Sequence, residues 1–366
     1  MRIGFLVLLV LHALIHMVWF AHAFGWVELP YFDKDISGMV GFSWLLASFF
    51  FIGSAIQLGK QKANWFHPAL MGVLISQMWI FSNWEDTKFG SFVNLLVLVG
   101  ILIGFSKSAF EGRFKEDVKA MLENLRLSGS ILREADLKHL PDLVQEYIRR
   151  SGAVGKPKTE NFYLEFDGEM RREGEPWFKF TSRQYSFIPR PARFFFMKAR
   201  VKGVSTQGYH FYHPPTAKMT IKALSVFPVV KTDVPEMFPT ETVTFLNDLC
   251  LFAPGALIDD RISWEKLDEL SVRAVFAFKE LRIAAVLYFN TEGDLIDFRS
   301  EDRYEIQQMK PLPFNTPVKD YREFDGIRVP SYGEAIWHYS DGPFSYGKFR
   351  LKALRYNLSE MPEAET

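Results

Sequence analysis

The sequence predicts two parts: an all-α four-helix membrane bundle, and an α+β soluble domain in which a strongly curved antiparallel meander sheet packs on a helix. Three observations support this fold class. Four apolar stretches occur before residue 107, apolar and polar residues alternate after residue 157, and one apolar helical segment interrupts that alternation. The length of 366 residues also exceeds the roughly 150 residues expected of a single ordinary domain.

Each apolar stretch is close to the length that a helix needs to cross a hydrocarbon core of roughly 30 Å. The stretches are Ile3 to Phe24, Gly38 to Leu58, Phe66 to Trp84 and Phe89 to Phe105, and the last two are near the short limit. A secretory signal peptide is the alternative for the first stretch. It has only Arg2 as a basic start, no small-residue cleavage site and three apolar stretches after it, so we predict a multi-pass membrane protein.

The charges of the loops predict the orientation, because basic residues near the ends of spans are retained in the cytoplasm. The first and third loops are acidic, whereas the second loop and the segment after the fourth stretch are basic. The acidic loops carry Glu28, Asp33, Asp35, Glu85 and Asp86 against Lys34 and Lys88, and the basic segments carry Lys60, Lys62, Lys107, Arg113, Lys115 and Lys119. We therefore expect a protein of the inner (cytoplasmic) membrane, with both termini and the soluble domain in the cytoplasm.

Two histidines, His12 and His16, lie four residues apart in the first stretch and so share one face of a helix. Ionisable residues at membrane depth are costly and usually face the interior of a bundle. Neutral histidines that form hydrogen bonds within the bundle are one interpretation. The other stretches supply Gln77 and Asn94 as polar candidates. A weak metal site, a proton-transfer site or a haem ligand is the other interpretation.

The rest of the chain divides by its pattern of apolar residues. We expect the bundle to cover residues 1–107, a helical linker 108–157, a β-rich domain 158–358 and a disordered tail 359–366. In the linker, one amphipathic helix covers Phe114 to Leu127, and a second begins at Pro141 and ends before Gly152. Period-two runs such as Phe162-Leu164-Phe166 predict a sheet of eight to ten strands, and the Asp325-Gly326 pair predicts a hairpin turn.

One helix interrupts these strands. Thr240 is expected to cap a helix from Glu241 to about Phe252, which Pro254-Gly255 ends. A curved sheet folded over this helix would leave an apolar cleft between the two. The three consecutive phenylalanines Phe194 to Phe196 fit either a large core, which is the default, or a cavity lined for lipid.

Familiar catalytic motifs are missing, so no catalytic residue and no cofactor is predicted. His210 and His213 are three apart in a predicted strand and should point to opposite faces, which makes them a poor metal pair. Asp259 and Asp260 are adjacent in a loop and are expected to be solvated. The 43 basic and 43 acidic residues leave no excess positive charge for nucleic acid, and the single Cys250 cannot form an intramolecular disulfide.

Several polar side chains with more than one hydrogen-bonding group are candidates for a ligand-binding site. They are Gln184, Tyr185, Arg303, Tyr304, Glu334 and Trp337. Each has an alternative interpretation as a cross-strand partner or as a core group whose hydrogen bonds are satisfied within the protein.

Longer segments of the chain resemble a bacterial domain-of-unknown-function family, number 6544. The likeness covers about Leu140 to Tyr356. It is carried by the helix Leu140 to Ser151, the stretches Phe180 to Phe187, Ala199 to Val201 and Thr240 to Leu257, the pair Trp264-Glu265, the triplet Asp302 to Tyr304, and the run Asp320 to Pro330 with Glu334, Trp337 and Gly342 to Tyr346. The resemblance implies a fold and a membrane context without an activity, and the fold is similar to the half-barrels of lipoprotein carriers.

The sequence leads to three hypotheses of function. The first is a membrane-anchored, non-enzymatic protein that binds a lipid or another apolar small molecule in the cleft of its curved sheet. The second is a redox or proton-handling membrane protein that uses His12 and His16. The third is a scaffold that binds another protein.

Overall fold

A computed structural model describes residues 2–29 and 36–362. The chain forms two compact units, one up to Gly112 and one from Arg113 onward. The predicted loop charges Asp33, Lys34 and Asp35 lie outside the described residues, as does the end of the predicted tail, 363–366. No observation tests the domain boundaries predicted from the sequence, which stay predictions.

The first unit is helical. Its helices are α1 (Arg2–Ala23), α2 (Gly38–Gly59), α3 (Phe66–Ser82), the single turn α4 (Trp84–Thr87) and α5 (Gly90–Glu123), which continues into the second unit. Three of them, α1, α2 and α5, are long and apolar enough to cross a membrane, whereas α3 is apolar but has only 17 residues. The predicted fourth stretch and the amphipathic stretch from Phe114 are thus parts of one continuous helix, α5.

Side chains from several helices form the core of this unit. Ala13 of α1, Ala47 and Phe51 of α2, and Val97 of α5 are completely buried there. Close packing depends on a small residue at Gly100 of α5, because a Cβ atom there would lie 2.3 Å from the ring of Phe5. Gly100 therefore lets α1 and α5 approach, as the small residues of membrane helices commonly do.

In its described residues, the second unit contains the end of α5, two further α-helices, α6 (Asp142–Arg150) and α7 (Met237–Phe252), and a 13-stranded antiparallel sheet. The strands are β1 (Asn161–Met170), β2 (Phe178–Phe187), β3 (Ala192–Val201), β4 (Val204–His213), β5 (Thr216–Ala223), β6 (Phe227–Thr232), β7 (Ile262–Lys266), β8 (Ser271–Phe278), β9 (Leu281–Phe289), β10 (Leu295–Ser300), β13 (Phe314–Phe324), β14 (Ile327–Tyr339) and β15 (Gly342–Tyr356), with β11 (Tyr304–Glu305) and β12 (Lys310–Pro311) forming a separate pair.

The sheet consists of two meanders. Strands β1 to β6 follow one another in order, strands β7 to β15 do the same apart from the β11–β12 pair, and β1 pairs with β15 to join the halves. The predicted meander is confirmed, and the sheet is larger than the predicted eight to ten strands. The predicted hairpin at Asp325-Gly326 links β13 to β14, and both residues have positive φ, 48° and 75°, as a two-residue type I′ turn requires.

Helix α7 lies in the concavity of this sheet. It contacts β4 and β5 from one half and β9, β10 and β14 from the other, which requires the sheet to bend around it. Thirteen of its sixteen residues are buried, so the helix is enclosed on nearly every side. The predicted cap was wrong, because α7 begins at Met237 and Thr240 lies inside it. Pro239 is tolerated so early because the first helical N–H groups need no partner within the helix.

Candidate functional site

A network of buried charged side chains connects α7 to the concave face of the sheet. Arg193 on β3 donates from Nη1 to Glu241 Oε2 (3.1 Å) and from Nε to Asp248 Oδ2 (2.6 Å). Gln184 on β2 donates to the same Asp248 oxygen (2.8 Å), and His210 Nδ1 lies 2.9 Å from Glu241 Oε1. Four of the five side chains are almost completely buried. His210, with 27% of its side chain exposed, is the member of the network that contacts solvent.

Regular secondary structure explains why these residues meet. Glu241 and Asp248 are seven residues apart in α7, which places both carboxylates on one face of the helix, two turns apart. On the sheet, Gln184 pairs with Phe195 and Phe195 pairs with His210, so Gln184, Phe195 and His210 point to the same face. Arg193, two residues before Phe195, points there as well.

Burial and the neighbouring charges shift the pKa values of the acidic and basic side chains in the network. Burial alone would raise the pKa of Glu241, but His210, Arg193 and Arg303 outweigh it and lower this pKa to about 2. Burial raises the pKa of Asp248 in spite of its contacts with Arg193 and Gln184. Burial opposes the charge on Arg193, yet Asp248 and Glu241 together raise its pKa. Arg193 therefore remains a cation between two acidic side chains.

A second arginine, Arg303, lies at the edge of this network. Its guanidinium carbon lies over the rings of Phe314, Trp337 and Tyr346, at 4.2, 4.8 and 5.9 Å from their centroids. Its Nη1 donates to the hydroxyl of Tyr346 (2.8 Å), and its Nε is buried without a hydrogen-bond partner. In the part of the chain that the structure describes, no carboxylate forms an ion pair with Arg303, although Glu241 is near enough for the guanidinium to lower its pKa.

Four of the six predicted ligand-binding residues belong to this region. Gln184 is in the charged network, and Arg303 packs on Trp337. Tyr304 is held through its backbone, because its N–H donates to Thr240 Oγ1 (3.1 Å) and its carbonyl accepts from the same hydroxyl (3.3 Å).

The other two predicted residues, Tyr185 and Glu334, lie elsewhere. Tyr185 follows Gln184 in β2 and so points to the opposite face of the sheet, where its ring packs against Phe114 of α5. Glu334, three residues before Trp337 in β14, lies on the other face of that strand and accepts from the hydroxyls of Tyr332 (2.6 Å) and Ser345 (2.8 Å).

Sequence reasoning missed Arg193, Glu241 and Asp248 as members of the site. Glu241 and Asp248 share one side of the helix with Thr244, a pattern that is typical of a solvent-exposed helix side, so the local sequence does not indicate that the two acids are buried. Nothing in the local sequence of β3 distinguishes Arg193 from a surface arginine. Of the pair predicted to be solvated, Asp260 is exposed, whereas Asp259 forms an ion pair with Arg261 and has a side chain only 13% exposed.

Two cavities of this unit are lined by residues of the sheet without any residue of α7. One, of about 230 Å³, is bordered by Glu165, Arg183, Lys198 and Lys352, and the other, of about 280 Å³, by Asp297, Asn315 and His338. The predicted cleft between sheet and helix is occupied by side chains such as Phe195, Tyr212, Phe245 and Leu246, which are buried around α7. A ligand on the concave side is thus expected at its edge, near Arg303 and His210.

The predicted histidine pair lies in the first unit and is buried, with 2% of each residue exposed. His12 Nε2 lies 2.8 Å from Asn94 Oδ1, and His16 Nδ1 lies 2.7 Å from the carbonyl oxygen of His12. Within the described residues, no group of three or more histidine, cysteine, aspartate or glutamate side chains is placed to hold a metal ion. His213, at the end of β4, is exposed.

Comparison with known families identifies the relatives of the second unit. A model described as a family of unknown function, DUF6544, matches residues 130–349, which is more than half of the chain. The chain belongs to the DUF6544 family. The resemblance predicted from the sequence is thereby confirmed, and every residue of the charged network of this DUF6544 protein lies inside the matched range. The match begins after α5, so it does not include the apolar helices.

Other comparisons add little to this assignment. No curated protein matches the chain. Among solved structures, the LolA superfamily protein NE2245 from Nitrosomonas europaea is similar over 60% of this chain and 93% of its own, at 6% identity and a TM-score of 0.31. A TM-score of that size supports no conclusion about the DUF6544 chain.

Proposed function

We propose that this DUF6544 protein is a membrane-anchored protein that binds an anionic amphiphile, a lipid with a phosphate or carboxylate head, at the edge of its concave face. The observation that carries the proposal is Arg303, whose charge has no carboxylate partner among the described residues and whose buried Nε has no acceptor. A guanidinium recognises phosphate or carboxylate through two parallel N–H donors. A bound anion would supply the acceptor that Nε lacks once the side chains that cover Nε move aside.

The rings around Arg303 prepare it for such a ligand. Stacking on Phe314 and Trp337 fixes the plane of the guanidinium, so little rotational freedom remains to be lost when an anion binds. A buried donor without an acceptor costs about 1–3 kcal/mol, which binding would recover. The existing bond to Tyr346 uses Nη1 and leaves Nε and Nη2 for the ligand.

Partly buried apolar side chains of the same unit would receive the other part of an amphiphile. Ile306 follows Arg303 by three residues, Phe238 lies in the first turn of α7, and Met219 pairs with His210 across β4 and β5. All three are only partly buried and pack against the edge of the large core. They present apolar surface at the rim of the core around α7, and a lipid with an anionic head requires apolar and charged contacts together.

The membrane part of the proposal depends on α1, α2 and α5, each apolar enough to cross a bilayer. We propose in addition that α3 crosses, which makes four spans and keeps both termini and the second unit on the cytoplasmic side of the inner membrane. The 17 residues of α3 extend about 26 Å at about 1.5 Å per residue, slightly less than a core of roughly 30 Å. Local thinning of the bilayer accommodates such a difference at modest cost.

The test is native mass spectrometry of the full-length protein purified in mild detergent. We expect the wild-type protein to retain one lipid with an anionic head and the Arg303→Gln variant to lose most of it. Arg322→Gln changes an exposed arginine of β13 and serves as the matched control, so its lipid content should equal that of the wild type. Lipid retained equally by all three proteins, or by none, would reject the proposal.

Two other functions correspond to the remaining hypotheses. A redox or proton-handling role depends on His12 and His16, which belong to the first unit and are not altered by Arg303→Gln. A scaffold role predicts a stoichiometric protein partner that co-purifies with the wild-type chain.

A further inference from the structure

Three buried polar atoms without hydrogen-bond partners lie on facing sides of α1 and α2. They are His12 Nδ1, His16 Nε2 and Ser48 Oγ. Ser48 is completely buried and lies on the face of α2 between Trp44 and Phe51. Trp44 packs against the ring of His16 (4.9 Å between centroids) and Phe51 against both histidine rings (4.8 and 5.4 Å).

The partners of the other two ring nitrogens determine which nitrogens carry lone pairs. Asn94 Nδ2 donates to Ser76 Oγ (3.0 Å) and to Gln77 Oε1 (3.0 Å), so its Oδ1 faces His12 as an acceptor. His12 Nε2 must then carry the proton. His16 Nδ1 faces a backbone carbonyl and must also be a donor. In the neutral rings, His12 Nδ1 and His16 Nε2 are therefore the bare nitrogens, each with a lone pair and no donor.

This arrangement matches that of histidines that bind metals. A metal-bound imidazole nearly always donates its second N–H to a carbonyl, a carboxylate or a water, which fixes the tautomer and turns the other nitrogen to the metal. Both histidines meet this condition, with the carbonyl of His12 and the amide oxygen of Asn94 as the acceptors. The rings are one helical turn apart and in edge-to-face contact, with centroids separated by 4.5 Å, so the two bare nitrogens belong to adjacent rings of one cluster.

From this geometry we propose that His12 and His16 bind one transition-metal ion of the class that imidazole prefers, such as copper or zinc. The hydroxyl of Ser48 and water would complete the coordination, since these two are the only histidines of the cluster. The side chains that contact the pair, Trp44, Phe51 and Asn94, are all neutral. An apolar, uncharged environment penalises a doubly charged ion more than a singly charged one, so cuprous ion should bind more tightly than zinc.

The experiment uses the full-length protein in detergent. The protein is loaded separately with Cu(I) under reducing conditions and with Zn²⁺, then desalted, and the bound metal is measured by mass spectrometry of the elements. We expect one ion per wild-type chain with at least one of the two metals. His12→Ala and His16→Ala should each lose it. His22→Ala should keep it, because His22 belongs to the same helix but bonds to the carbonyl of Val27, outside the cluster.

Two further measurements keep the test independent of how the variants fold. X-ray absorption of the loaded wild-type protein should show two imidazole nitrogens bound to the metal. Asn94→Leu, which removes the acceptor for His12 Nε2, should weaken binding by about 10–100-fold. Absence of stoichiometric metal from the wild type with both ions, or equal retention in His16→Ala and His22→Ala, would overturn the proposal. Neither result depends on the lipid proposed for the second unit.

Discussion

Arg193 forms ion pairs with two buried carboxylates, Glu241 and Asp248. Removing one member of a buried ion pair leaves its partner charged in a medium that does not solvate it, which costs about 3–5 kcal/mol. We therefore expect Arg193→Met to lower the free energy of unfolding by about that amount. Chemical unfolding of the purified full-length protein, followed by tryptophan fluorescence, measures the difference.

An exposed ion pair provides the control for this substitution. Lys202 and Glu175 are 2.8 Å apart, but 68% and 39% of their side chains are exposed. Exposed pairs contribute about 0–1 kcal/mol, so Lys202→Met should change the unfolding free energy little. If Arg193→Met lowered the free energy of unfolding no more than Lys202→Met does, the buried network would not stabilise the fold.

Asp294 gives a prediction about pH. It accepts two bonds from Arg328 (2.6 and 2.8 Å) and one from Arg150 of α6 (3.2 Å). The hydrogen bonds from Arg328 lower the pKa of Asp294 below its usual 3.8, against the effect of its burial. A carboxyl whose pKa is lower in the folded state stabilises the protein above its unfolded pKa, and that stabilisation is lost as the pH falls through the folded pKa.

Asp294→Asn should therefore be less stable than the wild type at pH 7, by about 1.5–3 kcal/mol, the range for hydrogen bonds to charged groups. The difference between the two proteins should shrink as the pH falls below 3.8 and Asp294 of the wild type becomes protonated. Unfolding curves of both proteins across this range measure it. A difference that does not depend on pH would show that the charge of Asp294 contributes nothing.

The site residues illustrate which chemistry a sequence reveals. Arg303 and Trp337 could be proposed because charged and aromatic residues in a strand-rich domain are candidates for ligand binding. Arg193 could not, because its partners Glu241 and Asp248 are about fifty residues later, and only the folded sheet and helix bring them together. Tyr185 and Gln184 are adjacent in sequence, and only the packing of both faces of β2 shows that they lie in different environments.

At the scale of the element, the C-terminal part of α5 covers the face of the sheet opposite α7. Phe114 is completely buried there and packs against Tyr185, Phe196 and Tyr209, with centroids 5.2 to 5.9 Å apart. The hydroxyl of Tyr209 donates to Asp117 of the same helix (2.7 Å). Both faces of this part of the sheet are therefore buried against helices.

Phe114→Ala should lower the unfolding free energy of the second unit by about 3–5 kcal/mol, the usual cost of removing a buried aromatic ring. Phe227→Ala is the matched control, since Phe227 on the edge strand β6 is 61% exposed and its loss should cost about 0.5 kcal/mol or less. Unfolding of the two variants in parallel tests the assignment. If the two losses were alike, α5 would not stabilise the sheet.

The covering of both faces also explains why β3 shows no alternation of apolar and polar residues in the sequence. In β3, Ala192 to Met197 are all buried, and apolar residues run without a break from Phe194 to Met197, where a half-exposed strand would alternate. Phe195 points to α7, and its neighbours Phe194 and Phe196 pack on the other face against Phe211 and Phe114. Strands β8 and β9 alternate more clearly, because one face of each is partly exposed.

At the scale of the whole molecule, the sequence indicated a helical membrane part before a β-rich part, because apolar length and strand alternation are local properties. The number of spans is a property of the chain as a whole. It depends on whether the 17 residues of α3 are inserted, and the charges of the loops are the main signal for that. The number of spans also decides on which side of the membrane the second unit lies.

Labelling of single cysteines with a membrane-impermeant thiol reagent distinguishes four spans from three. The background is Cys250→Ser, because Cys250 is completely buried and burial raises the pKa of its thiol, so the native residue is unreactive. With four spans, Lys88→Cys is labelled in intact cells, whereas Lys60→Cys and Arg322→Cys are labelled only after the membrane is opened. If α3 does not cross, Lys88→Cys moves to the inside and Arg322→Cys to the outside, while Lys60→Cys stays inside. The two topologies therefore predict opposite labelling at both position 88 and position 322. Labelling of Arg322→Cys in intact cells would contradict the cytoplasmic placement of the second unit.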